Sequence, residues 1–281
     1  MKALRDFLKT RAANDLLPQD ILNEAAARFG LEHRLIERAA LESGLLPVRY
    51  QRNRNTLSVE QQLSLFQSRV AVVGCGGLGG YLIEELARLG IGTIVAIDPD
   101  RFEEHNLNRQ LLCTLETIGS PKVAAAADRV RKINPAVTLM PVRQALDSGN
   151  APMILRGCDV VADALDSISA RIHLAGYCRE QAMPLVHGAI AGWYGQLAVQ
   201  FPGEDTVIRL LDGCKDKAGI EKEFGNPPFA PAFVASLQTA EICKIITSGD
   251  RAMSGRIIFI DLRDMRFEEI KSACPPDPLL Q

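Results

Sequence analysis

The sequence predicts a doubly wound α/β fold: a mostly parallel sheet with helices on both faces, an antiparallel extension and a small helical appendage at the N-terminus. Three observations carry this. Apolar, β-rich runs at 70–73, 93–97, 137–142, 158–162 and 184–187 alternate with helical stretches near 79–89, 121–132, 149–156 and 168–181, the pattern of a parallel sheet with crossover helices. The first run ends in a glycine cluster, Gly74-Cys75-Gly76-Gly77-Leu78-Gly79, which reads as a strand-to-helix turn. After residue 188 the alternation stops, and 194–201, 256–261 and 265–270 read as antiparallel strands around a long helix at about 230–247.

In chain order, residues 1–47 form the appendage. Leu4, Phe7 and Leu8 share one helix face, as do Ile21, Leu22 and Ala25, then Leu31, Leu35, Ile36 and Ala39, with Gly30 and Gly44 as stops. Its seven basic residues (Lys2, Arg5, Lys9, Arg11, Arg28, Arg34 and Arg38) are matched by seven acidic ones (Asp6, Asp15, Asp20, Glu24, Glu32, Glu37 and Glu42). A DNA-reading helix trio leans basic, so this unit is expected to pack on the main domain or dock a partner. The main domain runs over 48–272. Within it, 203–229 is rich in charge, glycine and proline and shows no clear element, as a functional or disordered loop does. Residues 273–281, with Cys274-Pro275-Pro276-Asp277-Pro278, are expected to form a flexible tail.

At 281 residues and 47% hydrophobic, the chain is long enough to bury a sizeable core. Its net charge of −2 leaves no nucleic-acid footprint. No apolar run reads as long enough to span a bilayer, and Met1-Lys2-Ala3-Leu4-Arg5-Asp6 is no signal peptide; a cytoplasmic protein that binds neither membrane nor DNA is expected. The seven cysteines form no CxxC pair and no cluster of zinc-ligand spacing, so neither zinc nor a structural disulfide is expected.

The chemistry lies in an ordered series. A glycine turn brings backbone N–H groups to phosphate, and an acid about 20 residues on, here Asp98, can bond a ribose hydroxyl. Those features alone favour a dinucleotide oxidoreductase. Downstream, however, Arg109 follows the second strand, Lys122 opens a helix, and Asp166 follows the strand ending near 162. All three fall beyond carboxyl ends of parallel strands, where open α/β sheets bind ligands. Two cations and a carboxylate suit a triphosphate with magnesium better than a pyrophosphate. His105 adjoins Asn106 and is a candidate for the pocket wall; His33 and His173 read as helix-surface residues, and His187 as the end of a strand near the core.

The same residues carry a resemblance. Arg49-Tyr50-Gln51-Arg52-Asn53, the glycine loop, Asp98-Pro99-Asp100, Asn106-Leu107-Asn108-Arg109-Gln110, Gly119-Ser120-Pro121-Lys122-Val123, Asn134-Pro135, Asp163-Ala164-Leu165-Asp166 and Ala235-Ser236-Leu237-Gln238 occur in one order from about Arg49 to Ile270. In this the chain resembles the ThiF/MoeB/HesA branch of the ubiquitin-activating-type enzymes, adenylyltransferases with a Rossmann-like sheet. The resemblance implies ATP- and Mg2+-dependent adenylation of the C-terminal glycine of a small ubiquitin-like sulfur-carrier protein ending in Gly-Gly, with pyrophosphate released, by a homodimer. It implies that Gly74, Gly76, Gly77 and Gly79 form the nucleotide loop, with Gly77 against the nucleotide. By the same resemblance Asp98 would take the ribose, Asn106, Arg109 and Lys122 would contact phosphates, Asp166 would hold magnesium, and Arg52 would reach the phosphates of the neighbouring subunit. Asp100, His105 and Ser167 are further candidates for the nucleotide site by their position beside these motifs.

This chemistry needs few general bases. A terminal carboxylate has a pKa of about 3.5 and is already a nucleophile at neutral pH; what it needs is cations that reduce its repulsion from the α-phosphate. The sequence departs from the pattern in three places. There are no CxxC pairs for zinc, the segment Ala218–Asn226 before the long helix lacks the cysteine of relatives that form a covalent sulfur link, leaving only Cys214 nearby, and Ser167 stands where Asn is common. The alternatives are adenylation of a peptide terminus or a modified tRNA, a non-catalytic ATP- or carrier-binding partner, and an NAD oxidoreductase.

Overall fold

A computed structural model describes residues 1–212 and 224–271. The appendage consists of α1 (Lys2–Arg11), α2 (Gln19–Phe29) and α3 (His33–Leu41), tied by the two-residue strands β1 (Leu16–Leu17) and β2 (Leu46–Pro47). Its apolar faces close around a core of their own, with Leu4, Leu8, Leu22, Ile36 and Ala39 fully or almost fully buried. Gly30 ends α2 in the left-handed conformation at φ 62°, the position where glycine escapes the Cβ penalty.

A 3-10 turn (Val48–Asn53) and helix α4 (Val59–Gln67) lead into the sheet. The sequence reading had no element at α4, although Ser58 and Gln61 form a capping box, with Gln61 N–H donating to Ser58 Oγ at 3.2 Å and Ser58 N–H to Gln61 Oε1 at 2.9 Å. That S-x-x-Q pattern is a helix-start signal in sequence.

The sheet begins as read: β3 (Arg69–Val73), α5 (Gly77–Leu89), β4 (Thr93–Ile97), α6 (Lys122–Ile133), β5 (Thr138–Val142), the short α7 (Ala151–Ile154), β6 (Val160–Asp163), α8 (Ile168–Glu180) and β7 (Leu185–Ala191). Next come β8 (Tyr194–Gln200), α9 (Thr206–Asp212), α10 (Phe229–Ser248), β9 (Arg256–Asp261) and β10 (Arg266–Lys271). The spatial order is β10-β9-β8-β7-β6-β3-β4-β5. The pairs from β5 across to β7 are parallel, and those from β7 to β10 are antiparallel. Strand residues alternate between two cores, as a period of two requires. Val70 and Val72 join the core with α5, α6 and α10; Ala71 and Val73 join the one with α7 and α8.

Four readings change. Within 203–229, α9 forms where no element was expected; it is anchored by buried Glu204, whose carboxylate accepts from Phe201 N–H at 3.2 Å and Arg251 at 3.1 Å. Seven residues are too few for periodicity to stand out beside Gly, Pro and charge. α7 spans only 151–154 rather than 149–156. β7 continues to Ala191, which puts His187 inside a strand rather than at its end. Lastly, α10 is long and apolar enough to cross a membrane, contrary to the expectation of no such run; here it packs on α5, β7 and β8 as a core helix, with Val234, Ala235 and Ile242 fully buried. Cys214, most of the 218–226 segment and the 273–281 tail lie outside the described residues.

Candidate active site

After β3, β4 and β5 run to one side, the chain returns to place β6 on the other side of β3. This reversal opens a crevice at the strands' carboxyl ends, the usual ligand position in open α/β sheets. A cavity of about 980 Å³ occupies it, lined by the glycine loop, Asp98, Asp100, His105, Arg109, Lys122 and the 164–171 loop, among others.

The glycines divide by role. At Gly74, φ is 96° and a Cβ would lie 2.5 Å from the Ala164 carbonyl oxygen; at Gly79, a Cβ would lie 1.8 Å from the Gly74 carbonyl oxygen. Both permit the backbone to fold back on itself, and Gly79 does not line the cavity. Gly76 and Gly77 do line it, and a Cβ at either would meet protein only at ordinary contact distance, 3.5 Å. α5 starts at Gly77 without a capping side chain, so the unsatisfied N–H groups of its first turn open onto the cavity, an arrangement suited to phosphate.

Asp98, just beyond β4, is buried and accepts two backbone N–H groups, from Cys75 at 2.7 Å and Asp100 at 2.8 Å. It therefore ties the glycine loop to the next turn while lining the cavity. Lys122, first residue of α6, is buried with its Nζ 3.0 Å from Asp100 Oδ2. Arg109 lines the cavity from the loop after β4, its guanidinium donating to Asn108 Oδ1 at 2.9 Å. Asn106 sits behind the wall rather than in it: buried, it accepts the Glu103 N–H at 3.0 Å and shapes the turn that presents Arg109. His105 is exposed at the rim, 3.4 Å from Glu103.

On the opposite side, Ser167 is the N-cap of α8, its Oγ accepting from Ala170 N–H at 3.5 Å and lying 2.9 Å from Ser169 Oγ. Ser167 takes the cap position, and the preceding Asp166 is exposed on the cavity wall with no ion pair or hydrogen bond among the described residues. No group of three or more His, Cys, Asp or Glu poised for a metal exists among the described residues. A lone free carboxylate fits magnesium, which keeps waters and shares itself with substrate phosphates. Arg52, on the 3-10 turn, is exposed, makes no hydrogen bond or ion pair among the described residues and does not line its own chain's cavity.

The sequence reading did not single out Gln110, whose buried Oε1 has no partner beside Gly76, nor Gln144-Ala145-Leu146 beyond β5 or Arg171, all on the wall. Gln110 adjoins Arg109 in a motif already quoted; its burial is visible only in three dimensions. The described cysteines Cys75, Cys113, Cys158, Cys178 and Cys243 all have thiols pushed up by burial, Cys178 to about 12.

The model of the ThiF family matches residues 50–278. The chain belongs to the ThiF family. This ThiF-family chain is 36% identical to the SAMP-activating enzyme E1 of Haloferax volcanii, over 78% of its length and 82% of that protein's. It is 32% identical to the molybdopterin-synthase adenylyltransferase of Escherichia coli, over 75% and 85%. It matches the adenylyltransferase and sulfurtransferase MOCS3 of Xenopus laevis at 32% over 76% of its length and spans about half, 48%, of that protein. In fold it is similar to Escherichia coli MccB with ATP (TM-score 0.68, 19% identity, 81% of this chain and 72% of that one). The doubly wound sheet with its antiparallel extension is thus a fold that this chain shares with that structure.

Proposed function

We propose that this ThiF-family chain is an ATP- and Mg2+-dependent adenylyltransferase acting on the C-terminal glycine carboxylate of a small ubiquitin-like sulfur-carrier protein. One observation carries this reading: Arg109, Lys122 and the unpartnered Asp166 converge on the cavity into which the start of α5 opens. The relatives support the substrate class, since ones matched over more than four-fifths of their length are named for SAMP activation and molybdopterin-synthase adenylylation. MccB, at 19% identity, supports the fold alone.

In this mechanism the N-terminus of α5 receives phosphate and Asp98 positions the ribose end. Lys122 and Arg109 neutralise triphosphate charge, so that a carrier carboxylate can approach the α-phosphate. Attack forms the acyl–phosphate bond as the α–β phosphoanhydride breaks and pyrophosphate leaves. Asp166 is the residue that would hold magnesium, which when bound would supply further charge neutralisation. No general base is needed, because the carboxylate is already ionised at neutral pH. In the cytoplasmic homodimer, Arg52 reaches the partner's triphosphate.

The test is pyrophosphate exchange into ATP, run with carriers ending in Gly-Gly, with tRNA, and with no partner. Exchange dependent on the carrier is expected; exchange driven by tRNA, or none with any carrier, overturns the substrate assignment. Asp166→Asn should lower exchange at least about 10²-fold, the scale for one preorganised electrostatic group.

A further inference from the structure

Asp163, the last residue of β6, and His187, on β7, are register partners on adjacent parallel strands, both with side chains 0% exposed. Asp163 Oδ2 lies 2.6 Å from His187 Nδ1, and the other ring nitrogen, Nε2, lies 3.1 Å from the Gln196 amide nitrogen on β8. An amide NH2 facing Nε2 makes that nitrogen the acceptor. The ring proton is then on Nδ1 and is donated to Asp163. The second carboxylate oxygen, Oδ1, accepts the Leu165 N–H at 3.0 Å, while the Asp163 carbonyl accepts from Gln238 Nε2 at 2.9 Å.

These bonds act on one short loop. Ala164 N–H donates to the Val73 carbonyl at 2.9 Å, Leu165 N–H to Asp163, and Arg171 Nε to the Leu165 carbonyl at 3.0 Å. The next residue is Asp166. The tethered backbone groups of Ala164 and Leu165 lie within two residues of it, yet the Asp166 side chain has no partner among the described residues. Replacing a buried ion pair by apolar side chains of similar volume is often neutral or stabilising, so stability alone gives little reason for a carboxylate–imidazole pair at these strand positions.

We propose that His187 is a positioning residue: by holding Asp163 it fixes the 164–166 loop, and through it the carboxylate of Asp166. Gln196 extends the same chain of bonds into the antiparallel extension, two residues from exposed Tyr194. The metal end of the site is thereby tied to β8. This rests on the reading that Asp166 holds the metal.

The experiment uses the full chain, Mn2+ as the metal probe and electron paramagnetic resonance to measure Mn2+ affinity in the presence of ATP, with metal-free ATP binding measured separately by calorimetry. His187→Leu removes the donor to Asp163; His187→Asn keeps an N–H near the Nδ1 position. His187→Leu should weaken Mn2+ binding about 10- to 100-fold, as loss of a group supporting a metal ligand does, with metal-free ATP binding unchanged, and His187→Asn should recover most of the loss. Wild-type Mn2+ affinity in His187→Leu overturns the proposal. So does an equal loss of metal-free ATP binding, or a His187→Asn variant as weak as His187→Leu.

Asp166→Ala separates the two readings. If it too binds Mn2+ normally, the metal assignment fails; if it alone loses Mn2+, only the role of His187 fails. Should His187→Leu not fold, the wild-type protein still decides, because His187 ring 15N resonances should shift on adding Mg2+ with ATP but not ATP with chelator. Unmoved resonances overturn the proposal.

Discussion

Lys122 is held twice by Asp100: its backbone N–H donates to the Asp100 carbonyl at 3.0 Å, and its Nζ lies 3.0 Å from the carboxylate. The ammonium is nearly buried while the carboxylate is 62% exposed. In the absence of nucleotide, Asp100 therefore neutralises a cation that the triphosphate is proposed to claim.

Asp100→Asn should accordingly destabilise the free enzyme more than the ATP-bound one. A half-exposed pair contributes at most ~1 kcal/mol, about 2 °C in melting temperature for a chain of this size. Differential scanning fluorimetry should show a lower melting point without ATP and one close to wild type with saturating ATP. An unchanged ATP-induced shift would mean that Lys122 does not change partners. Lys122→Ala, which removes the cation itself, should lower pyrophosphate exchange at least about 10²-fold.

Two glycines in one loop should fail in different ways. A Cβ at Gly79 meets the Gly74 carbonyl oxygen at 1.8 Å, a backbone collision that forces the turn apart, and Gly79→Ala should lower the melting temperature by about 5 °C or more. Gly77→Ala adds a Cβ 3.5 Å from Pro231 within a helix, where alanine is the better residue. Its melting temperature should hold or rise, while its KM for ATP rises several-fold if the nucleotide lies against that face.

Arg52, exposed and without a partner among the described residues, leads to a complementation test. Arg52→Ala and Lys122→Ala homodimers should both be nearly inactive, an arginine at the transferring phosphate contributing on the order of 10³-fold. Refolded together, they should recover roughly a quarter of wild-type activity, since half the dimers are mixed and each mixed dimer has one intact site of two. Mixed dimers shown to form by tagged co-purification, yet inactive, would reject Arg52 acting in trans.

The cysteines predict an enzyme that stops at the acyl-adenylate. Burial, with Asp163 adding to it, lifts Cys178 from 9.0 to about 12, and burial first and Asp98 second raise Cys75 well above the usual thiol range. Native protein treated with iodoacetamide at about pH 8 should leave both unmodified, the thiolate being the nucleophile. A raised folded-state pKa contributes stability that is whole below the unfolded value and is lost as pH rises toward the folded one, so denaturation midpoints should fall between pH 9.0 and about 12. Incubation with ATP and carrier should yield no thiol-sensitive conjugate; one abolished by Cys214→Ser would place the covalent step on that cysteine.

The sequence by itself determined the strand–helix alternation, because buried parallel strands and amphipathic helices write their periods directly into the order of apolar residues. It also marked Asp98, Arg109, Lys122 and Asp166, since ligands of an open sheet sit just past strand ends that the periodicity locates. Only the tertiary structure decided what those residues are bonded to. Asp98 is occupied by two N–H groups, Lys122 by Asp100, while Ser167 takes the helix cap and Asp166 has no partner among the described residues. His187 looked like a strand end and proved to be half of a buried pair with Asp163, 24 residues away. Such pairings depend on strand register and on which neighbour comes to lie alongside, and no local pattern encodes either.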